Sequence, residues 1–192
     1  MKQVKILLTS LFICLLFINS KTQTPLGKIT YVHLTHFKYD SNSKNGKAIL
    51  LFNNKESTYS HINAPKKSKL QETDGKTTPV AGDEEGFPVY KNLKTKALIY
   101  KELLGLTPKK CIVNDTLPTI DWKITGETKK IANFNCQKAV GTFAGRIYDA
   151  WFTLEIPISS GPYKLHGLPG LILEAKSQDG KVEFLFSGIE IS

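Results

Sequence analysis

From residue 27 onward, apolar and polar positions alternate with a period of two, the spacing of a strand with one face buried and one face wet. In GKITYVHLTHFKY (27–39), Ile29, Tyr31, His33, Thr35 and Phe37 fall on one side and Thr30, Val32, Leu34 and His36 on the other. The β-branched and aromatic residue types suit a sheet. The Asn53-Asn54 pair is a turn signal between 47–52 and 57–62, which predicts a hairpin. FPVYKNL (87–93), KKCIVND (109–115) and IDWKIT (120–125) read as short strands, and TKALIYKELLGL (95–106) leans the same way although its alanine and leucines also suit a helix. The clearest hairpin is 131–158, with two long β-rich arms turning at Ala144-Gly145. Its second arm places Tyr148, Ala150, Phe152, Leu154 and Ile156 on the inward face, opposite Asp149, Trp151, Thr153 and Glu155. Strands at 170–175 and 181–191 follow, joined through Asp179-Gly180. The pattern predicts a mostly antiparallel β protein, a single sheet curved into a half-barrel or folded as a sandwich.

Two stretches fall outside this alternation. Residues 63–86 are polar, carry three consecutive acids at Asp83, Glu84 and Glu85, and contain no aromatic residue, which predicts a long mobile loop. The first 22 residues run from Lys2 and Lys5 into an apolar stretch from Ile6 to Ile18 and out through small polar residues, the build of a cleaved secretory signal helix. Its apolar part is shorter than the roughly 20 residues a membrane span needs, so the mature form, 23–192, is expected as one soluble β domain without a transmembrane span. The expected location is the periplasm, the outer membrane surface or the medium.

Export changes what the charge and the cysteines mean. Losing residues 1–20 lowers the net charge from +9 to +7 (24 basic minus 17 acidic residues), still basic. The lysine pairs Lys66-Lys67, Lys109-Lys110 and Lys129-Lys130 lack interleaved stacking aromatics, so no nucleic-acid partner is expected. Weak attraction to anionic envelope surfaces is the sharper use of such a surface. Cys111 and Cys136 are the thiols left after the signal, and in an oxidising compartment they are candidates for a structural disulfide, with a free, core-packed Cys136 as the competing reading. No Cys/His spacing suggests a metal: His33 and His36 point to opposite faces of one strand, and nothing in the sequence ties His61 or His166 to them. No cofactor is implied.

The remaining motif is GPYKLHGLPGLILEA (161–175), where Gly161, Pro162, Gly167, Pro169 and Gly170 precede a solid apolar run. With its flanks, AWFTLEIPISSGPYKLHGLPGLILEA (150–175), it resembles the signature of the GLPGLI family of exported Bacteroidetes proteins, literally so at 167–172. The resemblance extends back through DWKITGETKKIANFNCQKAVGTFAGR (121–146) and more loosely to GKITY and LFNNKESTY, covering most of the mature chain. It implies an envelope protein of unsettled role with no agreed catalytic residues. Such proteins often continue for some tens of residues past the strand that ends here at Ser192, so a missing C-terminal extension is an expectation, and with it an unpaired edge along the β-prone strand from Val182 to Ile191.

For the motif itself, plain geometry predicts two tight turns, Gly161-Pro162 and Leu168-Pro169-Gly170, the second of type II with proline and then a positive-φ glycine at its centre. The functional alternative is that Gly167 and Gly170 let a partner approach the backbone beside Tyr163 and His166. Trp151, flanked by Asp149 and Glu155, is either a rim of the core or a stacking platform. The expected recognition surface is Trp151, Tyr163, His166, Gly167 and Gly170, framed by Pro162, Leu168 and Pro169. Gly-x-Ser-x-Gly, His-Glu-x-x-His and phosphate-binding glycine loops do not occur. The expected role is therefore a binding or protein-interaction module with an envelope partner, not an enzyme; the alternative is a secreted hydrolase without a legible motif.

Overall fold

The computed structural model of the chain describes residues 27–36, 44–62, 70–73, 76–79, 87–104 and 109–191. Residues 1–22, expected as a signal helix, Phe37 and most of the polar stretch 63–86, expected as a mobile loop, lie outside the described residues. The strands are β1 (Gly27–Thr35), β2 (Lys44–Phe52), β3 (Glu56–Ile62), β4 (Leu70–Thr73), β5 (Lys76–Pro79), β6 (Val89–Asn92), β7 (Ala97–Leu103), β8 (Lys110–Thr116), β9 (Trp122–Ile131), β10 (Phe134–Phe143), β11 (Arg146–Thr153), β12 (Leu171–Ser177) and β13 (Val182–Ile191). Eleven of them form one antiparallel sheet in the order β8-β7-β6-β3-β2-β1-β13-β12-β11-β10-β9. β4 and β5 pair only with each other, Leu70 opposite Pro79, inside the polar stretch.

The connection between β8 and β9 dictates the shape. These strands are the two edges of the eleven-stranded sheet, yet residues 117–121 alone join them. Laid flat, ten interstrand spacings would set the edges about 48 Å apart. Six extended Cα steps reach roughly 21 Å at most. The sheet therefore curls until its edges approach, and the linker bridges the open seam, with Leu117 and Ile120 tucked into the core.

Alternation decides what the trough contains. Ile29 and Tyr31 of β1, Ala48, Leu50 and Phe52 of β2, Tyr59 of β3, Ala150 and Phe152 of β11, and Leu171, Ile172 and Leu173 of β12 are all buried to within 1%. Each large apolar side chain so placed contributes roughly 1.5–3 kcal/mol relative to an exposed one. The Ala144-Gly145 turn has φ of 49° and 75°, the double left-handed pair that a two-residue hairpin twisting with its strands requires. Asn53 Oδ1 accepts from the backbone N–H of Lys55 and Glu56 and closes the β2–β3 turn.

Three expectations are corrected. β11 ends at Thr153, so the alternation stops there and Leu154 is 56% exposed instead of facing inward with Phe152. The last strand is no edge: β13 pairs with β1 from Val182 to Ile191 and with β12 at Phe184 and Glu183. The edges are β8 and β9. Cys111 and Cys136 form no disulfide: each thiol is free and donates to a carbonyl close by, Cys111 on the edge strand β8 to Glu102 and Cys136 on β10 to Phe134. Cys136 is the core-packed thiol, pushed up to about 11 by burial.

Candidate functional site

Between β11 and β12 the chain leaves the sheet and runs through its interior. β12 pairs with β13 only at Ala175 and Lys176; at its start, Leu171 and Ile172 donate their backbone N–H to the carbonyls of Ile156 and Ser160 in this inner segment. Buried irregular backbone must find partners for its polar groups, because water cannot supply them. Side chains of the surrounding sheet do so here. Lys91 Nζ of β6 donates to the carbonyls of Gly161 (2.6 Å) and Leu165 (3.1 Å). Tyr31 of β1 donates to the Ile172 carbonyl, and Trp122 Nε1 of β9 to that of His166. Ser57 and Ser160 share a hydroxyl hydrogen bond. Both flanks of the trough thus grip one segment, and burial lowers the Lys91 ammonium to about 7.

The motif glycines serve geometry, though not as the turn pattern predicts. Gly170 is not in the left-handed region; the positive φ, 98°, belongs to Gly167. Gly170 is needed because a Cβ there would lie 2.0 Å from the Thr153 carbonyl oxygen, where the inner segment passes under the end of β11. Gly161 likewise leaves no room for a Cβ against Ile172. Pro162 and Leu168 are buried, and Pro169 is exposed. His166 is nearly buried: its ring faces the Lys164 carbonyl, and burial lowers its pKa.

Tyr163 is different. It is a non-glycine residue held at φ 51°, a conformation costing on the order of 1–2 kcal/mol. Its ring, 36% exposed, meets Tyr59 edge-on at 6.4 Å and lines a cleft of about 320 Å³ with Phe87, Val89, Tyr100, Glu102 and Leu103. The Lys164 ammonium sits 3.3 Å from the centre of the Tyr100 ring and 5.4 Å from that of Tyr163. Burial lowers the Lys164 pKa and raises that of Tyr163. Aromatic faces, an apolar floor and flanking charges give this cleft the makeup of a stacking and hydrogen-bonding site.

Behind Tyr59 lies a cluster that the sequence reading did not assemble. His33 Nδ1 is 2.9 Å from His61 Nε2 and 3.1 Å from the Tyr59 hydroxyl, and the two imidazoles stack at 5.0 Å. Phe184 packs on the His33 ring at 4.4 Å. Burial, and then the charge of the neighbouring imidazole, lowers His33 to about 4; burial lowers His61 as well. The signal was present in the strand faces: His33 follows Ile29 and Tyr31, and His61 follows Tyr59, at steps of two. Gly46 and Ala48 of the intervening β2 stand opposite the two histidines and leave space for the rings to meet.

Trp151 does not join the cleft. Its neighbours Ala150 and Phe152 point inward, so its ring lies on the outer face, with Lys129 Nζ 4.5 Å above it and a Lys129–Glu174 ion pair of 2.6 Å alongside. The flanking acids have other partners: Asp149 receives Gln178 Nε2 and Lys138, and Glu155 receives the backbone N–H of Asn135.

Residues 144–174, which cover β11, the inner segment and the first half of β12, match a family described as a protein of unknown function (Porph_ging), associated with Bacteroidetes. No curated protein matches the chain in sequence. Two crystal forms of PNGF-II share the fold, with TM-scores of 0.58 and 0.59 at 17% and 18% identity, over 86% and 88% of this chain. The match spans 28% and 29% of the PNGF-II chain, under a third of its length. At that identity the likeness shows the fold.

Proposed function

We propose that this chain is an exported protein of the GLPGLI type that acts as a binding or protein-interaction module of the bacterial envelope, with recognition centred on the Tyr163 cleft. The observation that carries this reading is Tyr163 itself. A tyrosine held in a left-handed conformation, where glycine would cost nothing, keeps its ring in an aromatic-lined cleft at the expense of backbone strain. The signal-like first 22 residues support export, and the Porph_ging match over 144–174 supports a Bacteroidetes setting. The basic surface adds weak attraction to anionic envelope phosphates.

Capture from native envelope extracts with wild-type protein and with Tyr163→Ala and Tyr100→Ala, followed by mass spectrometry, tests the reading. The expected result is one enriched partner that both variants lose while melting within a few degrees of wild type. Equal capture by all three proteins would refute the cleft as the recognition surface. The other reading, a secreted hydrolase, has one observation in its favour: Thr35 Oγ1 lies 3.5 Å from His33 Nε2, the approach of a hydroxyl to a base. Turnover of an ester, amide or glycoside panel that is abolished by Thr35→Val would favour it over binding.

A further inference from the structure

The ring nitrogens of His33 and His61 and the hydroxyl of Tyr59 converge. We infer that these three side chains form a binding site for a divalent first-row transition ion of the copper and zinc class, with His33 Nδ1, His61 Nε2 and the Tyr59 oxygen as protein ligands. Two imidazole nitrogens are a donor set these ions favour, and the Tyr59 oxygen joins them as a phenolate, its proton released to solvent when the ion binds. Tetrahedral bonds of about 2.0–2.1 Å set nitrogen ligands roughly 3.3 Å apart. The two nitrogens here are 2.9 Å apart, so the rings need part by only a few tenths of an ångström.

The hydrogen bonding of the cluster points the same way. A neutral imidazole nitrogen carries either one proton or one lone pair. His33 Nδ1 faces both His61 Nε2 at 2.9 Å and the Tyr59 hydroxyl at 3.1 Å, so it cannot bond fully to both at once. An ion at the point of convergence gives each of the three atoms a partner. The surroundings suit a ligand set that must hold its aim. His33 and Tyr59 stand on β1 and β3 of one continuous ladder through β2, Phe184 covers the His33 ring, and Thr35 Oγ1 lies 3.5 Å from its outer nitrogen, where an orienting partner belongs. Among the described residues no three His, Cys, Asp or Glu side chains converge in this way, so the phenol completes the set.

Tag-free full-length protein, titrated separately with Zn²⁺ and Cu²⁺ by calorimetry and examined by electron paramagnetic resonance of the copper form, tests the inference. The expected result is one saturable equivalent and a copper signal coupled to two imidazole nitrogens. His61→Gln should weaken binding by at least about tenfold and remove the second nitrogen coupling, while Tyr59→Phe keeps both couplings and weakens binding less. No saturable equivalent of either ion would overturn the inference. So would a two-nitrogen signal that persists in His61→Gln, which would place the ion elsewhere. The wild-type resonance reads the ligand count directly, so the test stands even if a variant fails to fold.

Discussion

Replacing Gly170 by alanine tests whether the inner segment is fitted to the sheet by contact. A Cβ at this position would lie 2.0 Å from the Thr153 oxygen, 2.7 Å from its carbonyl carbon and 3.2 Å from the Leu154 nitrogen. All three are backbone atoms, and no rotamer can move them aside. Relief requires the start of β12 to move away from the end of β11 by more than 1 Å, which breaks the pairing of Thr153 with Leu171 and of Phe152 with Ile172. The shift also displaces the Leu171 and Ile172 N–H groups from the Ile156 and Ser160 carbonyls; losing these two hydrogen bonds costs about 1 kcal/mol each, and loosened packing of fully buried Leu171 and Ile172 adds on the order of 1–3 kcal/mol. The expected destabilisation is about 3–5 kcal/mol. Urea unfolding should show a lower midpoint with unchanged slope. Gly145→Ala is the control: its φ is 75° but nothing lies within 4 Å, so it should cost only about 1–2 kcal/mol. If Gly170→Ala costs no more than Gly145→Ala, the close approach is not what requires the glycine.

Lys91 has a folded-state pKa near 7 against an ordinary 10.5, so between those values the unfolded chain binds more protons. Stability should therefore rise as pH increases from about 7 toward 9.5, and the slope should flatten in Lys91→Met, as read by urea midpoints across that range. At pH 9 the same variant should be destabilised by roughly 2–4 kcal/mol, because the Gly161 and Leu165 carbonyls lose their donor. Trp151→Ala should leave partner capture intact and cost little beyond the Lys129 stacking and outer-face packing, about 1 kcal/mol by thermal melting. In native, unreduced protein Cys111 should react with a thiol reagent while Cys136, 1% exposed, reacts only after unfolding; finding no free thiol in the unfolded chain would contradict the separated cysteines.

Local chemistry was legible and long-range pairing was not. The turns at Ala144-Gly145 and Asp179-Gly180, and the inward set of Tyr148, Ala150 and Phe152, follow from periodicity and from residues that tolerate positive φ. Nothing local could show that β1 lies beside β13, because Gly27 and Ile191 meet through contacts that only the finished sheet provides. That is why the last strand read as an edge. Gly170 misled because proline followed by glycine has two uses, a type II turn or a close passage of chains, and only the neighbouring Thr153 carbonyl distinguishes them. Tyr163 was legible as a candidate from its setting, but its strained φ was not. The His33–His61 meeting depends on register across three strands, which alternation alone leaves undetermined.

The strand order also divides the chain in time. Residues 27–116 build one flank of the sheet and residues 122–191 the other, joined by the 117–121 bridge and by the β1–β13 ladder. Each flank is largely a run of neighbouring hairpins and can zip locally, whereas the seam between them joins the first described strand to the last. High sequence separation makes such a step slow. Until β13 arrives, β1 presents an open row of amides and carbonyls beside Ile29 and Tyr31, a template for any other extended chain. Synthesis thus carries a half-made protein whose stickiest edge is also the oldest among the described strands, and the ten-residue β13 ends that hazard.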